Sequence, residues 1–311
     1  WRRAGPRRMR HVMQAALLSD RGIIKVSGPD ARRFLHGLLT ADIETMTAAA
    51  PRYAALLTPQ GKIVADFIVV QPADGDAPDF LLDCERTLMG PLVAKLIFYK
   101  LRAKVTVESL ADTAGAFALW DDTAASPRQP GPPWFADPRL DALGWRAVAP
   151  PGLAAELAEA QGAALVADAA YEAHRIKLGV PRGGCDFAYG DAFPHEADMD
   201  QFNGVDFDKG CFVGQEVVSR MQHRGTVRNR VVPVSLDGVA PAPGTPVLVG
   251  DKTVGAMGSA TDGRGLALLR LDRVADAMGV GLSLFAGTAS LHPVKPVWAK
   301  FPWPDAAKAA E

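Results

Sequence analysis

Apolar positions in this chain come in short blocks, most of four to eight residues, separated by turn-forming residues. Residues 23–26 form one such block, closed by Ser27-Gly28-Pro29-Asp30, which predicts a strand, a turn and a helix start. The helix, 31–39, gathers Phe34, Leu35 and Leu38 on one face, with the Asp30 carboxylate expected to cap its first amides. Residues 53–57 and 63–70 are partly β-branched runs around Thr58-Pro59-Gln60-Gly61-Lys62, the pattern of a hairpin. A strand at 80–83, a helix at 88–99 and a strand at 104–108 complete an α+β unit. Pro, Gly, Asp and Ser then crowd 121–138, which marks a loop or a subdomain edge. A strand at 145–148 and helices at 153–161 and 169–178 follow. In the second helix Tyr171, Ile176 and Leu178 are read as the apolar side, with His174, Arg175 and Lys177 elsewhere on its surface. Beyond Arg230 the runs 231–236, 245–249, 254–259, 265–271 and 288–292 alternate with Gly- and Pro-rich turns, as in a small β-barrel or sandwich.

Length and composition add boundaries to this outline. With 311 residues, 48% of them hydrophobic, the chain can bury more than one core. Residues 1–16 carry five arginines and no acid until Asp20, and are expected to be a disordered basic tail. An upstream-extended start before Met9 or Met13 and an organelle transit peptide are the two accounts of it. The outline is then an α+β region over 17–226, with an internal edge near 115–140, and a β-barrel over 227–311. A formal net charge of -1 supplies no global basic field, so direct binding to nucleic acid is not expected. Apolar runs fall far short of the roughly 20 residues needed to span a membrane. Cys84, Cys185 and Cys211 are odd in number and widely spaced, which points to a reducing compartment such as the cytoplasm.

Candidate chemistry concentrates between residues 175 and 230. In Lys209-Gly210-Cys211-Phe212-Val213-Gly214-Gln215-Glu216 a thiol stands near two glycines, which let the backbone turn tightly and leave sulfur approachable. Lys209, Arg220, His223 and Arg224 are cations close in sequence, and positive charge near a thiol favours the nucleophilic, metal-ligating thiolate. The competing reading of Cys211 is a small buried hydrophobe. Three thiols without a CxxC pair are too few for a resident iron-sulfur cluster, and the spacing of His195 and His223 matches no zinc pattern. Cys84 and Cys185 read as packing residues.

The same segment, continued by Val217-Val218-Ser219-Arg220, resembles the signature of YgfZ-type proteins, folate-binding relatives of the glycine-cleavage T-protein that include mitochondrial iron-sulfur assembly factors. Arg175-Ile176-Lys177-Leu178-Gly179-Val180-Pro181, Phe193-Pro194-His195-Glu196-Ala197, Thr40-Ala41-Asp42 and Pro59-Gln60-Gly61-Lys62 resemble that family too, and the likeness runs over about residues 17–300. It implies a three-lobed cloverleaf of two α+β subdomains and a C-terminal β-barrel around a folate channel. It further implies tetrahydrofolate, or a one-carbon derivative, as ligand. Glu196 matches the position that would accept the pterin's adjacent N–H donors, as a carboxylate does in a bidentate pair. Tyr53, Phe193 or Phe202 offer aromatic walls, and Arg220 or Arg228 a cation for the glutamate tail. Asp66 either faces folate or caps a turn. Arg220 equally suits an i,i+4 pair with Glu216.

The resemblance implies a folate-binding accessory protein for assembly, insertion or repair of iron-sulfur clusters in client enzymes, with Cys211 and Lys209 as its reactive groups. Two alternatives stand beside it. One is an aminomethyltransferase-like one-carbon transfer, which the single carboxylate of Val64-Ala65-Asp66-Phe67 argues against. The other is support of tRNA modification through a basic strip of Arg220, Arg224, Arg228 and Arg230.

Overall fold

A computed structural model describes residues 13–72, 79–121, 130–225 and 227–303 of the protein. The N-terminal part comprises β1 (Gln14–Leu18), β2 (Arg21–Ser27), α1 (Ala31–Leu38), β3 (Arg52–Leu57), β4 (Ile63–Val70), β5 (Phe80–Glu85), α2 (Met89–Lys100) and β6 (Thr106–Ser109). The middle part adds β7 (Gly115–Trp120), β8 (Trp134–Ala136), β9 (Trp145–Ala149), α3 (Ala154–Ala160), β10 (Ala164–Leu165), α4 (Asp168–Leu178) and α5 (Gln215–Arg224). The C-terminal part is β11 (Asn229–Asp237), β12 (Pro246–Val249), β13 (Lys252–Thr261), β14 (Arg264–Arg270), α6 (Leu271–Gly279), β15 (Leu284–Ala286) and β16 (Ala289–Pro293). They assemble into one sheet ordered β3-β4-β5-β2-β6, a second ordered β10-β1-β7-β9-β8, and a closed barrel β11-β14-β13-β12-β15-β16. The α+β, three-unit architecture expected from the sequence is the one observed.

Many strands look apolar throughout because alternate side chains serve two cores. In β3, Tyr53, Ala55 and Leu57 enter a central core while Ala54 and Leu56 enter the core under α1 and α2. β7 divides likewise, with Ala116, Ala118 and Trp120 inward and Phe117 and Leu119 against α3. The central core also receives Val231 and Leu266 from the barrel, so it is where the three units meet. A period of two with both faces buried erases the hydrophobic-polar alternation that a half-exposed strand would show.

Several local expectations are corrected. The two α+β subdomains are not consecutive: β1 pairs antiparallel with β7, so the first sheet is inserted within the second. β1 begins at Gln14, inside the segment assigned to the tail, whose first twelve residues lie outside the described ones. Part of the 121–138 loop also lies outside them, and Trp134–Ala136 within it is a strand. Asp30 does not cap α1; its carboxylate accepts the Lys104 amide at 2.7 Å and so ties the turn before α1 to the chain leading into β6. His174 and Arg175 are buried, 6% and 2% exposed, rather than on the outer surface of α4. The helix α6 and strands β1, β7, β10 and β15 have no counterpart in the predicted elements.

Candidate functional site

Asp66 lies on β4 opposite Ala55, so its side chain turns toward the central core, where it is 5% exposed. A carboxylate there requires donors, because transfer of an unpaired charge out of water is prohibitive. Tyr53 donates to Oδ2 at 2.9 Å and Tyr189 to Oδ1 at 2.5 Å. Asp66 therefore neither caps a turn nor stands free. Burial and the neighbouring Asp66 raise both phenols above their ordinary range, which keeps them protonated as donors. Tyr189 was not singled out in the sequence; its position after a Gly-Gly-Cys turn carries no periodicity.

Beside this cluster runs a chain of buried ion pairs. Asp83 of β5 accepts from Arg21 Nε of β2 at 2.7 Å and from Arg146 Nη2 of β9, which joins the two sheets. Burial alone would raise the Asp83 carboxyl, but Arg146 and Arg21 hold it below the ordinary carboxylate range. Arg139 pairs with Asp137, and Arg175 with Asp186 and Glu172. A cavity of about 210 Å³ is lined by Arg21, Arg139, Arg146, Arg175, Tyr171 and Glu172 among others. Arg146 Nε is buried without a partner. The sequence signal for this network was a charge inside an apolar strand, as at Asp83 and Arg146.

Cys211 stands apart from this interior and is exposed. Its loop is fastened on both sides. Lys209 Nζ donates to the carbonyls of His36, Leu39 and Ala41, at 2.6, 2.6 and 2.9 Å, satisfying acceptors at the C-terminal end of α1. Burial lowers the Lys209 ammonium to about 8. With three protons given to backbone carbonyls, Lys209 is an anchor of the loop. On the other side Phe212 is 8% exposed within the central core, and Gly214, at φ +82°, lets α5 abut the β3–β4 turn. A Cβ on Gly214 would lie 2.5 Å from the Thr58 carbonyl oxygen. His36 Nε2 is close by, 3.9 Å from where a Cβ on Gly210 would stand. A cavity of about 560 Å³ has Tyr53 and Arg52 on one side and Asp206, Phe207 and Asp208, leading into the Cys211 loop, on another. Cys211 is outside that lining.

Glu196 sits where the loop after Phe193 meets the barrel. Its Oε2 accepts the Phe193 amide at 2.9 Å, its Oε1 the Asn229 side chain at 3.0 Å, and its carbonyl the Val231 amide at 2.9 Å. Next to it His195 is 1% exposed, and burial lowers its pKa from the ordinary value. Arg230 pairs with Asp198 and Asp200. Burial outweighs Arg230 at Asp198 and lifts that carboxyl well above the ordinary range. His195, Arg228, Arg230, Gln222, Leu271 and Trp303 are among the residues around a cavity of about 360 Å³. Arg228 is exposed at its rim. The Lys62 ammonium covers one face of Phe193, 3.5 Å from the ring centroid. Phe202 is a core residue against Trp298, with ring centroids 4.5 Å apart.

The predicted site residues thus fall into three places. Tyr53 and Asp66 touch in the interior, Cys211 and Lys209 share a surface loop, and Glu196, Phe193 and Arg228 flank the barrel junction. Arg220 is exposed and pairs with Glu216 at 2.6 Å. The expected basic strip is broken, since Arg230 is buried in its ion pairs. Cys84 is buried, whereas Cys185 is half-buried and accepts from the Ser259 hydroxyl at 3.3 Å. Among the described residues, no group of three His, Cys, Asp or Glu side chains is placed to hold a metal ion. No helix among them is long and apolar enough to cross a membrane.

Two sheets around a shared core, closed by a β-barrel, define the fold of the aminomethyltransferases. The crystal structure of the glycine cleavage system aminomethyltransferase T from Bartonella henselae matches 94% of this chain and 88% of its own, with a TM-score of 0.73 at 18% identity. Residues 228–301 match the family described as CAF17, C-terminal beta-barrel domain. The mitochondrial iron-sulfur cluster assembly factor IBA57 of Mus musculus is 33% identical over 94% of this chain and 86% of its own, and that of Homo sapiens 32% identical over 94% and 85%. A Mycosarcoma maydis homolog is 38% identical, but the match spans 71% of this chain and only 56% of that relative. The chain belongs to the family of IBA57 iron-sulfur cluster assembly factors.

Proposed function

We propose that the protein is an accessory factor in iron-sulfur cluster assembly that presents Cys211 to a cluster or to a client protein. The observation that carries this reading is an exposed thiol on a loop pinned at Lys209 and Phe212. A sulfur held outward in a fixed place can ligate iron as the thiolate, with its proton released to solvent, while the rest of the coordination comes from the partner. Its mitochondrial relatives suggest the matrix as its place of work in a eukaryotic cell. Replacing Cys211 by alanine should leave the fold intact, since the side chain is exposed. It should also abolish support of cluster-containing enzymes in cells lacking the native protein. Full complementation by Cys211→Ala would discard the thiol mechanism.

A folate ligand is part of the same proposal. Glu196 fits a pterin: each carboxylate oxygen has accepted one hydrogen bond and keeps a further lone pair, enough for two adjacent N–H donors. The half-buried Phe193 next to it would supply aromatic surface, whereas Tyr53 is held in the interior with Asp66. Folate would bring a one-carbon carrier or a reduced pterin, and this chain's residues would orient it and exclude water. Asp66, with both oxygens engaged by tyrosines, is poorly placed to steer a methylene transfer, which disfavours the transferase reading. Glu196→Ala should weaken tetrahydrofolate binding by about 2 kcal/mol, the scale of a lost charge-assisted contact. Unchanged affinity by calorimetry would place the pterin elsewhere.

A further inference from the structure

The helix α2 is apolar on two sides. Met89, Leu92 and Leu96 are buried and pack under the first sheet. The opposite stripe, Pro91, Ala94, Phe98 and Leu101, follows helical spacing yet faces outward, with Phe98 73% and Leu101 84% exposed and Ile97 46% exposed beside them. Alongside runs a groove of about 430 Å³ whose lining includes Val64, Leu88, Pro91, Lys95, Phe98 and Tyr99. A helix that needs only one buried face would carry polar residues on the other.

Leu101 makes the pattern harder to attribute to chance. It closes α2 at φ +46°, ψ -107°, a backbone conformation that favours glycine at a helix end. A branched residue there is strained, and its side chain gains no burial within the chain to offset the strain. The charge around the stripe is one-sided. From Arg86 to Val107 the sequence has Arg86, Lys95, Lys100, Arg102 and Lys104 and no acidic residue, in a protein whose formal net charge is only -1.

We infer that the outward face of α2 is a docking surface for an acidic, amphipathic helix of a partner protein. The partner's bulky apolar residues would enter the groove beside Phe98, and its Asp or Glu side chains would meet Lys95 and Arg102. The concavity favours this occupant over a lipid surface, because a groove between a sheet and a helix takes a protruding side chain. A second copy of this chain would oppose the same cations to one another. Helix-in-groove recognition with complementary charge is a recurrent mode. This surface is distinct from Cys211 and does not depend on the thiol or folate reading.

The test places a photo-reactive benzoylphenylalanine at Phe98 of the full chain in cells and, as a control, at Val297, an exposed apolar position beyond the barrel. Cross-links from position 98 should map by mass spectrometry to a helical segment with an apolar stripe flanked by Asp or Glu. Lys95→Glu with Arg102→Glu should cut their yield at least fivefold, and lysines at the mapped acidic positions should restore it. The inference is overturned by cross-links no stronger than the Val297 control. Adducts confined to lipid or to a second copy, or a yield indifferent to charge reversal, would overturn it equally. Melting temperature and complementation through Cys211 are read in parallel, so misfolding and failure of the thiol reading are each recognised separately.

Discussion

Replacing Asp83 by asparagine isolates the ion pairs that join the two sheets. Asp83 is 1% exposed and faces two guanidinium groups, of which Arg146 is itself 2% exposed. Asparagine keeps the shape and one acceptor but removes the carboxylate charge that those two cations share. Removing one partner of a buried pair costs about 3–5 kcal/mol. Because the amide oxygen still accepts one hydrogen bond, the lower end, about 3 kcal/mol, is expected. With a urea slope of about 3 kcal/mol/M for a chain of this size, the unfolding midpoint should fall by about 1 M. Equilibrium unfolding followed by far-ultraviolet circular dichroism and tryptophan fluorescence at pH 7 measures it. A second variant, Asp83→Leu with Arg21→Met and Arg146→Met, removes the whole pair system in favour of apolar side chains and should recover most of the loss. A single substitution costing under about 1 kcal/mol, or a triple variant no more stable than the single one, would refute the account.

Lys209→Met should destabilise the fold by about 2 kcal/mol, the scale of hydrogen bonds to a charged donor, and should speed amide exchange across residues 209–212. Arginine at the same position, too long and planar for three converging carbonyls, should rescue poorly; unchanged exchange in the methionine variant would show that the loop is held otherwise. His195 and Asp83 both contribute to the pH dependence, while the raised Asp198 carboxyl works against His195, its stabilisation fading as pH rises from about 4 toward its folded pKa. Burial lowers the His195 pKa, so below about pH 6.5 the unfolded chain binds the proton the folded one refuses, and stability declines as pH falls to the folded pKa. The depressed Asp83 carboxyl contributes stability above about pH 4 that disappears as pH falls through its folded value. His195→Gln should flatten the urea midpoint between pH 6.5 and 5 while leaving the fall below pH 4 in place. An unaltered slope in that upper window would remove His195 from the account.

The sequence made elements legible where they are bounded by turns that carry their own chemistry, and missed β1, β7 and β10 of the second sheet. Thr58-Pro59-Gln60-Gly61-Lys62 separates two strands that pair as a hairpin, and the short runs after Arg230 close into a barrel. What it hid was long-range pairing. Nothing local to residues 14–18 says that they pair with residues 116–120 rather than with β2. The same limit applies to the site. The glycines around Cys211 announced an accessible thiol, and the exposure agrees. The destination of Lys209, three carbonyls some 170 positions earlier, depends on how α1 ends. Arg175 read as a surface charge because its partner Asp186 and the Ser259 hydroxyl arrive from outside its helix.

The insertion of the first sheet within the second has a consequence for biosynthesis. During translation β1 leaves the ribosome before β7 and ends at Leu18, but the strand it must join does not begin until Gly115. At about 5–20 residues per second, its edge waits of the order of 5–20 s without a mate. In that interval the nascent chain offers an apolar, unpaired strand, open to chaperones or to mispairing with β2. Slow codons placed before residue 115 would lengthen this exposed interval, and faster ones would shorten it.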